Sequence, residues 1–196
     1  MKKIGVLISG RGSNLGALIA AQGDAYKIIL VISNIDGADG LKRAAEAGIA
    51  TKTIAHHGKT REAFDAEMDA ALHAANVDFV CLAGFMRILS DGFVRGWEGK
   101  LVNIHPSLLP AYKGTRVHER VIAAGESQSG ASVHFVVPEL DAGPVIAQGR
   151  VNVHPDDSPE MLAARILEVE HQLYPAALRL LAEERVKLEN GLAVFA

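Results

Sequence analysis

At 196 residues the chain is sized for one compact domain, and folding at this length buries roughly 70% of the extended chain's surface. Hydrophobic residues make up 49%, charged residues 22% and aromatics 5%, which excludes a disordered or fibrous chain and describes a core built from Ala, Val and Leu. A net charge of -3 with no Lys/Arg run argues against a surface that tracks nucleic acid, so any phosphate it binds has to be small and held locally.

The apolar run Ile4 to Ile8 reads as a buried strand; only the charged opening before it is like a secretory leader, because the apolar stretch is short and runs straight into Gly10-Arg-Gly-Ser-Asn14. Leu15 to Gln22 then reads as a helix, Ile28 to Ile32 as a second strand, Leu41 to Ala47 as a helix stopped by Gly48, and Thr51 to Ile54 as a third strand. Thr60 to Ala75 carries Ala63, Phe64, Ala71 and Leu72 amid charges, the spacing of an amphipathic helix, ahead of the strand Phe79 to Leu82. Asp91 to Trp97 is a short helix, Leu101 to His105 a fifth strand, and His118 to Ala124 a helix ending at Gly125. Up to this point strand and helix alternate, which predicts an open parallel sheet.

After Gly130 the alternation stops. Ser132 to Val137 and Pro144 to Val153 are two strands separated by the turn region Asp141-Ala-Gly143, so antiparallel pairing is expected at one edge. Ser158-Pro159-Glu160 is a capped helix start, the helix is expected to bend or break near Pro175, and Val186 to Leu188 is a candidate last strand. The predicted fold is a single doubly wound α/β domain, Rossmann-like and mostly parallel, mixed at one edge and flanked by helices. No window reaches the ~18 apolar residues of a membrane helix, and the expected compartment is the cytoplasm.

Two segments carry chemistry. Ser9-Gly-Arg-Gly-Ser-Asn14 brings backbone N–H groups to a helix start, where they suit an anion, whereas Leu15 stands where a dinucleotide fingerprint needs its third glycine. Gly58-Lys-Thr60 mimics the tail of a P-loop but lacks its glycines and is read as a helix entry. In Leu101-Val-Asn-Ile-His-Pro106 the side chains of Asn103 and His105 share one strand face, and Pro106 keeps His105 extended at the strand's carboxyl end, where open sheets bind ligands. An amide and an imidazole there suit acyl transfer, since both can donate to the oxyanion of a tetrahedral intermediate.

Asp141 is the candidate carboxylate beside that imidazole, placed to relay a proton. The plainer alternatives are a hydrogen-bonded core histidine for His105 and an ordinary turn former for Asp141. The remaining histidines, His56, His57, His73, His118, His134, His154 and His171, show no metal-binding spacing, so no metal is expected. Cys81, the single cysteine, lies in an apolar run and is read as an inert core thiol.

Asn103-Ile-His105 followed by Ser107-Leu-Leu-Pro110, with Asp141-Ala-Gly143 downstream, resembles the folate-dependent formyltransferase family. Ile8-Ser-Gly-Arg-Gly-Ser-Asn14 and Ala83-Gly-Phe-Met-Arg-Ile-Leu89 are similar to its glycinamide ribonucleotide branch, in register from Met1 to Pro175. The resemblance implies formyl transfer from the co-substrate 10-formyltetrahydrofolate to the amine of glycinamide ribonucleotide in purine synthesis, without a metal, nucleic acid or membrane, by a monomer or homodimer.

It further implies Asn103, His105 and Asp141 as the catalytic trio, and Gly12, Ser13 and Asn14 on the substrate phosphate with Glu170 on its ribose. Arg61, Met86, Arg87, Ile88, Leu89, Asn103, Val137, Leu140 and Asp141 are implied around the folate. Residues 1–100 then form the nucleotide-binding half and 101–196 the catalytic and folate-binding half. Leu167, one turn before Glu170, is apolar and cannot share in phosphate binding.

Three rivals predict different partners. A hydrolase of 10-formyltetrahydrofolate would turn the same trio on water and is expected to carry an additional N-terminal regulatory domain. A transfer-RNA formyltransferase is expected to show a basic docking surface and a C-terminal domain, and a nucleotide-sensing module would leave the trio without a role.

Overall fold

The computed structural model describes all 196 residues. Strands β1 (Lys2–Ile8), β2 (Tyr26–Ser33), β3 (Ala50–Thr53), β4 (Phe79–Leu82), β5 (Leu101–His105), β6 (Gln128–Phe135) and β7 (Val145–Asn152) form one sheet in the order β3-β2-β1-β4-β5-β6-β7. The pairs among β1 to β5 are parallel, and β6 runs antiparallel to both β5 and β7. The strand order therefore reverses between β1 and β4, and the crevice outside the carboxyl ends at such a reversal is where doubly wound sheets take ligands.

The helices are α1 (Ser13–Ala20), α2 (Asp39–Glu46), α3 (Arg61–Ala74), α4 (Asp91–Gly96), α5 (Val117–Ala123) and α6 (Pro159–Ala182). Alternate residues of β1 feed opposite faces of the sheet, which is why the strand reads as a continuous apolar run. Ile4, Val6 and Ile8 join a core with Leu15 and Leu18 of α1, Ala44 of α2 and Leu178 and Leu181 of α6. Leu7 points the other way, into a core with Phe64, Met68 and Leu72 of α3 and Phe93, Val94 and Trp97 of α4. A smaller cluster of Val117, Val121, Ala131, Val151, Leu162 and Ile166 seats α5 and the start of α6 on the antiparallel edge.

The departures from the sequence reading have local causes. β6 begins at Gln128, ahead of Gly130, and stops at Phe135 rather than Val137, because Pro138 offers no N–H to a sheet ladder. The connection to β7 is thus the loop 136–144 rather than a tight turn. The helix expected to bend or break at Pro175 runs unbroken from Pro159 to Ala182, started by the Ser158 hydroxyl, which accepts from Met161 N–H. Buried Tyr174, Ala177, Leu178 and Leu181 clamp both sides of the proline to the sheet, so packing outweighs the lost backbone bond. The last strand is one arm of a hairpin, β8 (Val186–Glu189) with β9 (Leu192–Phe195), joined by Asn190-Gly191 with φ of 51° and 75°.

No helix is long and apolar enough to cross a membrane. Tyr174 ties α6 to the ends of two central strands, its fully buried hydroxyl lying 3.0 Å from the Leu82 carbonyl and 3.2 Å from that of Val102. Tyr174→Phe leaves those carbonyls without this donor and is expected to lower unfolding free energy by about 1–3 kcal/mol in urea titration.

Candidate active site

β5 and β6 pair so that Asn103 stands opposite His134 and His105 opposite Ser132. Beyond His105 the chain folds back over the sheet. The Ser132 hydroxyl donates to the Ser107 carbonyl at 2.6 Å and accepts from Leu109 N–H at 3.0 Å, while Gln148 Nε2 donates to the Leu109 carbonyl at 2.8 Å. So pinned, the loop presents the Tyr112 carbonyl to His105, whose Nε2 donates to it at 2.9 Å.

His105 Nδ1 faces Asp141 Oδ2 at 3.5 Å, too long for a strong hydrogen bond, which leaves that nitrogen without a short partner. Both side chains are over nine-tenths buried. Asp141 reaches this position from a backbone with φ of 49°, and its Oδ2 also accepts from Gly114 N–H at 2.8 Å. Gly143 makes the turn possible, because a Cβ there would lie 1.7 Å from the Phe135 carbonyl oxygen.

Asp141 Oδ1 lies 3.8 Å from Nε2 of a second imidazole, His134, which the sequence reading had passed over. His134 Nδ1 donates to the Phe135 carbonyl at 2.8 Å, so in the neutral ring Nε2 is an acceptor, and Asn103 Nδ2 donates to it at 3.3 Å. Burial pushes the His134 pKa down, against the smaller upward pulls of the Phe135 carbonyl and the Asp141 charge, so this ring is neutral at pH 7. One amide hydrogen of half-buried Asn103 is thereby committed and the other is free for a ligand.

The glycine loop lies after β1 at the strand reversal. Gly12 takes the left-handed conformation at φ 68°, and no side chain caps α1, so the first-turn N–H groups are open to an anion. Gly12 packs on Gly40 of α2, where a Cβ on Gly12 would fall 2.7 Å from the Gly40 Cα. Ser13 is half-buried, and Asn14 Nδ2 donates to Glu170 Oε2 at 2.7 Å while Asn14 Oδ1 is buried without a partner. Burial raises the Glu170 pKa and the Asn14 bond partly offsets that. Leu167 is half-buried on α6, one turn from Glu170.

Of the residues expected around the folate, Met86, Arg87, Ile88 and Leu140 are exposed and Val137 is half-buried. Leu89 is buried in the core with Phe93 and Trp97, leaving its backbone as what a ligand could reach. Arg61 lines a groove of about 530 Å³ between α3 and α4, together with Asp65, Asp69 and His73 and with none of the trio. Asp65 and Asp69 are used there as struts, accepting from Ser90 N–H and from Trp97 Nε1–H. The titratable groups His105, His134 and Asp141 converge instead in the crevice at the end of β5. No group of three or more His, Cys, Asp or Glu side chains is arranged to hold a metal ion.

Residues 2–178 match the formyl transferase family. The chain is a member of that family.

It is 46% identical over 192 residues to the phosphoribosylglycinamide formyltransferase of Escherichia coli strain K12, covering 96% of this chain and 91% of that one. It is 50% identical over 186 residues to the trifunctional purine biosynthetic protein adenosine-3 of Drosophila melanogaster, covering 92% of this chain but only 14% of that far longer protein. Among solved structures, glycinamide ribonucleotide transformylase 1 of Symbiobacterium toebii superposes with a TM-score of 0.96 at 39% identity, covering 100% of this chain and 94% of that one. Membership in the formyl transferase family fits the mixed sheet, whose antiparallel β6 carries His134 to the side of Asn103.

The buried Glu170 carboxyl carries a pH-dependent cost to folding. Its folded pKa lies above the unfolded value of about 4.3, so the buried carboxyl opposes folding once pH exceeds that value and not below it. Glu170→Gln keeps an acceptor for Asn14 and is expected to raise Tm at pH 7, with the gain fading as pH falls through the carboxyl's folded pKa. Thermal melts across that range measure it, and a lower Tm at pH 7 in the variant would contradict this assignment.

Proposed function

We propose that this chain transfers the formyl group of 10-formyltetrahydrofolate to the amine of glycinamide ribonucleotide, giving formylglycinamide ribonucleotide and tetrahydrofolate in de novo purine biosynthesis. The observation that carries the reading is the meeting of Asn103, His105 and Asp141 in one crevice, with the uncapped start of α1 at the strand reversal nearby. Its partners in this reading are two small molecules, met in the cytoplasm by a monomer or a homodimer.

The geometry suggests the steps. The substrate phosphate sits on the N–H groups of Gly12, Ser13 and Asn14, and Glu170 holds the ribose. The folate lies along Met86 to Leu89 and the 137–141 loop. The neutral amine attacks the formyl carbon, forming a C–N bond while the carbonyl π electrons move to oxygen. The free Asn103 amide hydrogen and the His105 imidazole are the groups that stabilise that oxyanion in this reading. Asp141 takes the proton from the attacking nitrogen and delivers it to N10 of the folate as the C–N10 bond breaks and the carbonyl re-forms. No side chain becomes acylated.

The direct test is an assay that follows tetrahydrofolate release with and without glycinamide ribonucleotide. Release that depends on the amine and matches formylated product is expected, whereas release of formate without the amine would mark a hydrolase. His105→Asn and Asp141→Asn are each expected to lower kcat by about 100-fold or more while KM shifts far less, because their strongest interactions arise in the transition state. Near-normal turnover in either variant would remove that residue from the mechanism.

A further inference from the structure

The loop 83–89 follows β4 and is irregular throughout, yet it lies at the strand reversal beside the glycine loop that follows β1. Both hydrogen bonds that the structure gives residues 84–89 come from Ser9. Its backbone N–H donates to the Gly84 carbonyl at 3.1 Å, and its hydroxyl accepts from Met86 N–H at 2.8 Å. On the other side, Gly10 of the same loop accepts from Gly40 N–H at 3.0 Å, fixing the loop to the start of α2.

The orientation of the Ser9 hydroxyl is itself determined. Its hydrogen goes to Asn34 Oδ1 at 2.6 Å, which leaves a lone pair for Met86 N–H. Asn34 is 3% exposed at the end of β2, and its Nδ2 lies 3.2 Å from His56 Nδ1, an arrangement that turns its oxygen toward Ser9. A chain of hydrogen bonds thus runs His56, Asn34, Ser9, Met86, and it crosses from the β2 side of the sheet to the loop after β4.

We infer that Ser9 is a positioning residue that holds the folate-contacting loop in register with the phosphate-binding loop, with Asn34 fixing the direction of its hydroxyl. This rests on the formyl-transfer reading only for what the two loops bind. Ser9 touches no reacting atom. Its hydroxyl holds the Met86 amide in place, so that Met86 to Leu89 meet the folate in one arrangement rather than several, and the ordering cost is met before the ligand arrives.

The experiment compares Ser9→Ala, Ser9→Thr, Asn34→Ala and the Ser9→Ala/Asn34→Ala double variant with the unaltered protein. Tetrahydrofolate affinity is read by calorimetry, formyl transfer by kcat and KM, and backbone order by hydrogen exchange. Ser9→Ala is expected to weaken tetrahydrofolate binding and raise KM for 10-formyltetrahydrofolate about tenfold, with kcat changed by less than about twofold. Exchange at residues 84–89 should accelerate while the central strands keep their protection. Ser9→Thr, which retains the hydroxyl, should restore slow exchange. The double variant should bind no more weakly than Ser9→Ala, since the two residues act through one bond.

Unchanged exchange at residues 84–89 in Ser9→Ala would overturn the inference. So would a loss of kcat and Tm in step, with tetrahydrofolate affinity intact, because that pattern belongs to a residue serving the fold alone. A protein that forms no formylglycinamide ribonucleotide would sink the proposed activity, and exchange at 84–89 in Ser9→Ala would still decide the role of Ser9.

Discussion

The site depends on one register. With Asn103 opposite His134 across the antiparallel β5–β6 pair, a strand amide meets a neutral imidazole, and the Asp141 carboxylate closes the group from the loop beyond β6. A slip of one residue would turn Asn103 and His105 to the far face of the sheet together, and the crevice would lose both donors. The register is held from beneath by Ser132 and Gln148, which grip the loop that anchors His105. Two imidazoles flank one carboxylate, but their surroundings give them different work. His134 is neutral and serves as an acceptor, while both nitrogens of His105 face oxygen atoms.

The reversal of strand order supplies the second ingredient. It opens a crevice at the carboxyl ends of β1 and β4, and the loops that leave those strands are the glycine loop and the 83–89 loop. Polar groups around this crevice find partners in distant parts of the chain, as Asn14 Nδ2 does in Glu170, 156 residues away. A carboxyl buried as deeply as Glu170 opposes folding when ionised, and the Asn14 bond offsets that only in part.

Much of this was legible in the chain itself, because the parallel strands are buried on both faces and therefore stand out as short apolar runs such as Phe79 to Leu82 and Leu101 to His105. The convergence of Asn103, His105 and Asp141 was legible because they occupy positions with local meaning: a strand end before Pro106, and a turn ahead of Gly143. His134 was missed because its role comes from a partner strand 31 residues away, and nothing in its own neighbourhood distinguishes it from a core histidine. The signal available was the predicted strand Ser132 to Val137, which sets His134 against Asn103 once it is paired with Leu101 to His105. Pro175 misled for a related reason, since local chemistry disfavours a helix that tertiary packing holds together. The Asn190-Gly191 pair, by contrast, was an unread hairpin signal. Leu89 and Arg61 are the two whose surroundings the chain alone did not foretell: the Leu89 side chain packs in the core, and Arg61 lines the groove between α3 and α4.

In the proposed reaction Asn103, His105 and Asp141 stabilise an intermediate and move a proton, and none acts as a nucleophile. Mixing the protein with 10-formyltetrahydrofolate labelled in its formyl group, quenching on the millisecond scale and examining the denatured chain by mass spectrometry tests this most directly. The account predicts that label passes to glycinamide ribonucleotide with no formylated protein at any time. A formylated residue that forms and decays at the rate of turnover would contradict it.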